Sequence, residues 1–347
     1  MKIAIVGAGW YGCHIARELV RRGVECAVFE RHGDVMQEAS AVNQSRLHLG
    51  FHYPRSHITR VQSIRGFRQF LQEYPSLSGP VESNVYGVCN RHSMLDFETY
   101  SFIMRASGLD FEIVNPARYG VRNVEGAMLC PERHLKLNEA KKLFTSELKD
   151  VLRLATPVAK LVEEGEGYRI EGEHFTHVID ATWSQLTPAP IPVYYEPAML
   201  LLYRCKASPL TPAVTVMDGD LYSIYPFDDH GVYTLSGVSE TSLGKYGSAA
   251  DAWARIRTLD PAEVERLRRL METGMAWYYP AFCEEFTYLR PIMAVKTKPV
   301  VRSDDRACYV RREGNLFSVL SGKIDTIFEA SSIILESLGI SQPEPVS

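Results

Sequence analysis

The sequence Val6-Gly7-Ala8-Gly9-Trp10-Tyr11-Gly12 sets three glycines in a Gly-x-Gly-x-x-Gly spacing between a β-branched run, Lys2 to Val6, and a stretch with helical spacing, Tyr11 to Arg22. Strand, tight turn and helix are the context in which this spacing binds a pyrophosphate. Gly7 permits the turn, Gly9 carries no Cβ to hold the chain off the phosphates, and Gly12 lets helix and strand approach. The helix N-terminus then offers free N–H groups to the anion. Glu30 closes the next strand, Glu25 to Glu30, 18 residues beyond Gly12. A carboxylate there accepts hydrogen bonds from ribose hydroxyls and repels a 2′-phosphate. Trp10, Tyr11 and Arg31 share these segments and join the candidate binding set. The motif specifies a dinucleotide and does not choose between NAD and FAD.

These residues need a scaffold, and the chain is long enough for one. Its 347 residues, 46% hydrophobic and 23% charged, fit two globular lobes rather than disorder. The first 30 residues read as one βαβ unit. A helix is expected over Ile58 to Tyr74, strands over Val81 to Val88 and Phe111 to Val114, and a helical segment over Phe97 to Ala106. A polar helix follows from Pro131 to about Leu152. Strands are then expected at Pro157 to Val162, Gly167 to Ile170 and His177 to Asp180. The proline-rich Pro188 to Pro197 reads as a joint between lobes. Met199 to Val238 is strand-rich, with hairpin signals at Asp218-Gly219-Asp220 and Asp228-Asp229-His230-Gly231. Ala249 to Leu270 reads as helix broken near Asp260-Pro261, Phe286 to Val301 as strand-like, Leu316 to Leu320 as a strand and Ile324 to Leu338 as a helix.

Composition narrows the function classes. Lys and Arg total 38 against 42 Asp and Glu, and no run of like charge forms a polyanion-binding tail, so nucleic acid is not expected as a partner. Seven scattered cysteines with no Cys-x-x-Cys pair suit a reduced, cytoplasmic protein without a metal centre. The glycine-broken N-terminus does not read as a secretory signal, and no stretch has the length of a membrane span. The expected partner is a small-molecule substrate; the oligomeric state is not legible.

GAGWYGCHIARELVRRGVECAVFE, ASAVNQSRLHLGFHYP, VIDATW and SVLSGKIDT together resemble the D-amino acid oxidase superfamily of FAD-dependent oxidoreductases, which includes glycine, sarcosine and L-2-hydroxyglutarate oxidases. The resemblance covers the cofactor-binding segments, about half the chain. It implies an α/β Rossmann-like FAD domain, discontinuous in sequence (1–80, 131–190 and 302–347), with a strand-rich α+β substrate domain (81–130 and 191–301). It further implies that Ser40 and Asn43, Gln44, Arg46 and Leu47 run under the pyrophosphate and flavin, and that the backbone at Val158 meets the adenine. Ala181-Thr182-Trp183 resembles the family's Ala-Thr-Gly, with Trp183 where glycine is usual. Gly322, Lys323 and Ile324 match the turn whose helix faces the flavin, where a Lys323 ammonium would stabilise its anionic reduced form.

For catalysis the resemblance points to His48, as flavin contact, base or tether, and to Arg290 in an Arg-Pro pair as the group that holds a substrate carboxylate. Arg306 and Arg204 compete for that role. Tyr225 is a candidate cleft phenol. Lys296 on AVKTK reads either as an exposed alternate position or as a buried cation assisting dioxygen reduction. Cys308 occupies a place where a relative carries its flavin, followed here by a much shorter segment. The expected activity is hydride transfer from a C–N bond of a small amine or amino acid to flavin, with reoxidation by dioxygen or another acceptor. The alternatives are oxidation of a 2-hydroxy acid, an NAD-dependent dehydrogenase and a flavin-binding protein without turnover.

Overall fold

The computed structural model describes residues 1–206, 211–218, 222–228, 230–300 and 306–340. Parts of the two expected hairpin turns, at 219–221 and 229, and of the boundary at 301–305 lie outside them, as do residues 341–347.

β1 (Lys2–Val6) sits inside a six-stranded sheet because both its faces are apolar. Ile3 and Ile5 face one cluster with Leu19, Phe70, Phe317 and Ile334. Ala4 and Val6 face another with Phe29, Phe175 and Val178. Such two-sided burial is the signature of a parallel strand. β1 pairs in parallel with β2 (Glu25–Phe29) on one side and His177–Asp180 on the other. Leu316–Leu320 continues beyond His177–Asp180, and Tyr309–Glu313 adds an antiparallel edge. Residues from both chain ends and the middle thus build one sheet. Among the described residues four helices cover one face: α1 (Trp10–Arg21), α2 (His57–Glu73), Leu137–Glu147 and Ile327–Ser337.

Gly7 takes φ +100°, which few side chains tolerate, and a Cβ on Gly12 would lie 1.8 Å from the Gly7 carbonyl oxygen. The α1 start therefore folds onto the β1 end only with glycine at these places. Gly9 before α1 has no side chain to cap it and no acid occupies its first turn, so, apart from the Trp10 N–H that donates to Ser40, its N-terminal N–H groups and partial positive charge remain directed at the cavity described below.

The second large sheet has eight strands, in the order Phe286–Pro299, Val193–Cys205, Val232–Gly237, Tyr222–Pro226, Ala213–Met217, Asn84–Cys89, Val124–Leu129 and Glu112–Val114. All its pairings are antiparallel except Ala213–Met217 with Asn84–Cys89. The helix Pro261–Tyr278, started by the Asp260 cap and Pro261, packs Leu267, Met271 and Met275 against it. A small sheet of Arg46–Leu47, Arg133–Leu135 and Ser78–Pro80 lies among the segments linking the two.

Several expected elements change shape. The helix expected over 131–152 is confined to Leu137–Glu147, because Arg133–Leu135 is drawn into the small sheet and Leu152–Arg153 becomes the last parallel strand beside β2. Of the strand expected over 157–162 only Val162 is extended, in Val162–Glu164, while Val158 lies in irregular chain along the cavity. The proline-rich joint ends early: from Val193 the chain already runs in a 13-residue strand, its Pro197 tolerated beside a partner that also carries Pro291 and Pro299.

Candidate active site

A cavity of about 540 Å³ runs from the C-terminal ends of β1 and β2 to the turn at Gly322. Its position outside the carboxyl ends of parallel strands is where open α/β sheets bind ligands. At one end Glu30, almost fully buried, accepts hydrogen bonds from the backbone N–H of Ala8 (2.8 Å) and His32 (2.9 Å). Its carboxylate is therefore aimed, with lone pairs left for ribose hydroxyls. Arg31 reaches Gln185 (3.1 Å) and Glu38, and His32 reaches Glu38 at 2.8 Å. Arg31 balances Glu38, which leaves the buried Glu30 as the acid suited to hydroxyls and not to a 2′-phosphate.

Gly7, Gly9, Trp10 and Tyr11 line the middle, with Ser40 accepting from the Trp10 N–H at 3.3 Å. Asn43 lines the wall and braces it: its amide donates to the carbonyls of Ala39 (3.0 Å) and Ser40 (2.8 Å), and its oxygen accepts from the Ser45 N–H. Gln44 donates to Ser236, tying the same segment to the second sheet. Val158, Ala181, Thr182, Trp183, Gly322, Lys323 and Ile324 also line the cavity. Thr182 is fixed by the buried Asp180, which accepts from its backbone N–H at 2.8 Å and its hydroxyl at 2.5 Å. Gly12 and Leu47 do not line it; Gly12 serves the helix contact and Leu47 is core.

Trp183 and Ser184 have φ near +60°. Glycine adopts that conformation freely, whereas each L residue there costs on the order of 1 kcal/mol or more. Here a bulky indole is accommodated by strain, and the Trp183 carbonyl is held by the Thr297 hydroxyl at 2.6 Å.

Lys323 differs from expectation. Its side chain is 1% exposed and its ammonium donates to Asp325 (3.0 Å), Ser63 (2.5 Å) and the Thr59 carbonyl (3.3 Å). The charge is already balanced on the α2 side, so the ammonium is a brace for the Gly322 turn and not a free cation for a flavin. Arg290 lies exposed on Phe286–Pro299, away from the cavity lining. Arg204 is also exposed, donating to the His230 carbonyl. Cys308 is buried beside Lys323 and Asp325 and its thiol is pushed up to about 12, chiefly by burial.

His48 lines the flavin-turn end of the cavity, and Arg46 lies beside it. Behind them is a cluster that sequence inspection missed. Glu132, fully buried, accepts from the Leu49 N–H (2.8 Å) and the Tyr86 hydroxyl (2.5 Å), and lies 3.6 Å from His48 Nδ1 and 3.7 Å from Arg46. At 3.6 Å the imidazole and carboxylate are neighbours without a formed hydrogen bond, and His48 Nδ1 has no hydrogen-bond partner among the described residues. Burial alone would raise the Glu132 carboxyl, but His48, Arg46 and the Tyr86 hydroxyl outweigh it and hold it at about 2. Arg46 also donates to Thr215 and Ser223 at 2.9 Å each. Tyr225 lies behind Arg46, its ring centroid 3.9 Å from the guanidinium carbon, and its hydroxyl has no hydrogen-bond partner among the described residues. Glu132 carried no local signal, since a lone glutamate after Cys130-Pro131 reads as surface. Lys296, whose strand alternation suggested exposure, instead lines the cavity.

A long cavity with an anchored acid at one end, an uncapped helix N-terminus in its middle and a braced glycine turn at the other fits FAD along its length. The fold and this cavity define a flavin-dependent oxidoreductase of the two-lobed type. The chain matches the FAD dependent oxidoreductase family, DAO, over residues 2–322, and it belongs to that family. Its cofactor is FAD, and it is an enzyme. It is 45% identical over 333 residues to the FAD-dependent monooxygenase FPY4 of Fusarium mangiferae, covering 96% of this chain and 90% of that protein. It is 24% identical over 364 residues to the FAD-dependent monooxygenase kojA of Aspergillus flavus, covering 96% and 85%. The fold is shared with glycine oxidase from Geobacillus kaustophilus, at TM-score 0.74 and 15% identity over 99% of this chain and 95% of that one. Among the described residues no helix is long and apolar enough to cross a membrane, and no cluster of three metal-ligating side chains occurs.

Proposed function

We propose that this FAD-dependent oxidoreductase oxidises the C–N bond of a small amine or amino acid. Bound FAD supplies a two-electron acceptor for the hydride leaving the carbon next to nitrogen. An amine arrives at neutral pH as an ammonium, and the hydride leaves only after a proton has left the nitrogen and its lone pair is free. The observation that carries the reading is His48 on the cavity wall with the ionised Glu132 behind it. His48 accepts that proton, and Glu132 stabilises the imidazolium that results. Glu30, the α1 N-terminus and the segment braced by Asn43 hold the cofactor. Arg46 keeps the buried carboxylate charged, and its hydroxyl partners fix the guanidinium.

A second reading is favoured by the relative from Fusarium, which is named a monooxygenase and matches nearly the whole chain. A monooxygenase places an atom of dioxygen in its product, whereas C–N oxidation gives an imine that water hydrolyses to a carbonyl, releasing the amine, so that the product oxygen comes from water. Turnover under heavy-isotope dioxygen separates them. Unlabelled product, with peroxide or a reduced acceptor formed in equal amount, is expected; label in the product would replace amine oxidation by oxygen insertion.

A further inference from the structure

Trp183 and Ser184 follow one another with φ of +60° and +59°, a left-handed backbone that disfavours any L side chain. Such a pair persists only where its surroundings hold it. Here the second sheet does the holding. The Thr297 hydroxyl donates to the Trp183 carbonyl, and the Tyr195 hydroxyl to the Ser184 carbonyl, each at 2.6 Å. Tyr195 and Thr297 stand directly opposite each other in the antiparallel pair Val193–Cys205 and Phe286–Pro299. Two neighbouring hydroxyls of one lobe thus grip two consecutive carbonyls of the other.

What the grip fixes is the indole. Trp183 lines the cavity beside Gly322, and a Cβ on Gly322 would lie 3.5 Å from Trp183 Cζ2. Cζ2 and Nε1 are bonded to the same ring carbon, so the N–H belongs to the ring edge at this turn. A buried indole N–H ordinarily finds an acceptor, yet this one is buried with no hydrogen-bond partner among the described residues. With the adenosine ribose at Glu30 and the pyrophosphate at the α1 N-terminus, the flavin half of FAD falls at the Gly322 end.

We propose that the Trp183 indole N–H donates a hydrogen bond to an oxygen of that half, a ribityl hydroxyl or a ring carbonyl, and that Thr297 and Tyr195 are the positioning residues that aim it. The donor is already stripped of water by the protein, so it gains when the acceptor arrives. A glycine in its place would remove the strain and the donor together. This holds whichever bond the enzyme oxidises.

The test compares FAD-loaded parent, Trp183→Phe, Thr297→Val and the double variant. Trp183→Phe keeps an aromatic ring and the backbone strain and loses only the donor. FAD affinity, read from flavin fluorescence released on dilution, should weaken about tenfold in Trp183→Phe. Thr297→Val should weaken it severalfold in the parent and add little in the Trp183→Phe background, whereas a merely structural threonine would cost the same in both. Ultraviolet resonance Raman difference spectra of the parent against Trp183→Phe isolate the Trp183 indole, whose N–H-sensitive band should lie at the hydrogen-bonded position. The flavin midpoint potential tells the acceptor. A fall in Trp183→Phe assigns the bond to a ring carbonyl, where it favours the electron-rich reduced ring, and no change assigns it to the ribityl chain. A free-indole band, or parental FAD affinity in Trp183→Phe, overturns the proposal; equal losses from Thr297→Val in both backgrounds overturn the positioning role.

Discussion

At the scale of single residues the two sides of the cavity perform different work. His48 is the candidate base on the cavity wall. His48→Gln should lower the rate of flavin reduction by about a hundredfold, with FAD content unchanged. Stopped-flow absorbance reads both, and an unchanged reduction rate would remove His48 from the mechanism. Glu132 is different, because it also compensates Arg46. Glu132→Gln leaves a buried guanidinium without its carboxylate and should cost about 3–5 kcal/mol of stability, read by urea unfolding. Trp183→Gly should relieve about 1 kcal/mol of backbone strain, read as a shift in the urea unfolding midpoint. The glycine turn and Glu30 were legible in the sequence because backbone conformation and spacing alone define them. Glu132, Tyr86, Thr215 and Ser223 were not, because four separate segments bring them together around Arg46.

At the scale of elements, legibility follows how local the cause is. The strand Leu316–Leu320 and the helix Phe97–Ala106 occur where their own periodicity sets them, the latter with an Asp96 cap donated to by the Thr99 N–H. Arg46–Leu47 and Arg133–Leu135 are strands only because each finds the other, so nothing in either segment announces them. The brace beneath the Gly322 turn is another such meeting. A Cβ on Gly66 of α2 would lie 1.7 Å from the Asp325 carbonyl oxygen. Gly66→Ala must therefore push α2 away from the turn that Lys323 and Asp325 stiffen. We expect a loss of about 2 kcal/mol or more and weakened FAD retention, read by melting temperature and by flavin release on gel filtration. Retained FAD at full stability would show that α2 and the turn move independently.

For the whole molecule, acid is the revealing perturbant. His14 is buried between Tyr74 (2.7 Å) and Ser331 (3.0 Å), and burial first, then neighbouring arginines, lower it to about 3. His52 is likewise lowered to about 3, mainly by burial. Both are neutral when folded and take up a proton near pH 6.5 when unfolded. Stability is therefore complete above about 6.5 and declines as pH falls toward 3, by up to about 1.4 kcal/mol per pH unit for each histidine. Glu132 adds a further decline below its unfolded value of about 4.5. Urea unfolding at a series of pH values should show this slope, halved in His14→Gln through the range near pH 5; a flat profile would mean that the imidazoles titrate normally.

The sheet that carries the cofactor takes in both β1 and the strand Leu316–Leu320, far apart in sequence. A ribosome that has made β1, α1 and β2 has made the pyrophosphate turn, yet the Gly322 turn and the helix behind it are still unread in the message. The nascent protein thus has no complete cradle until Leu316–Leu320 and the turn after it have been made. Loading with FAD therefore waits on those residues, and a product cut short before them by premature termination would be colourless and open to proteolysis.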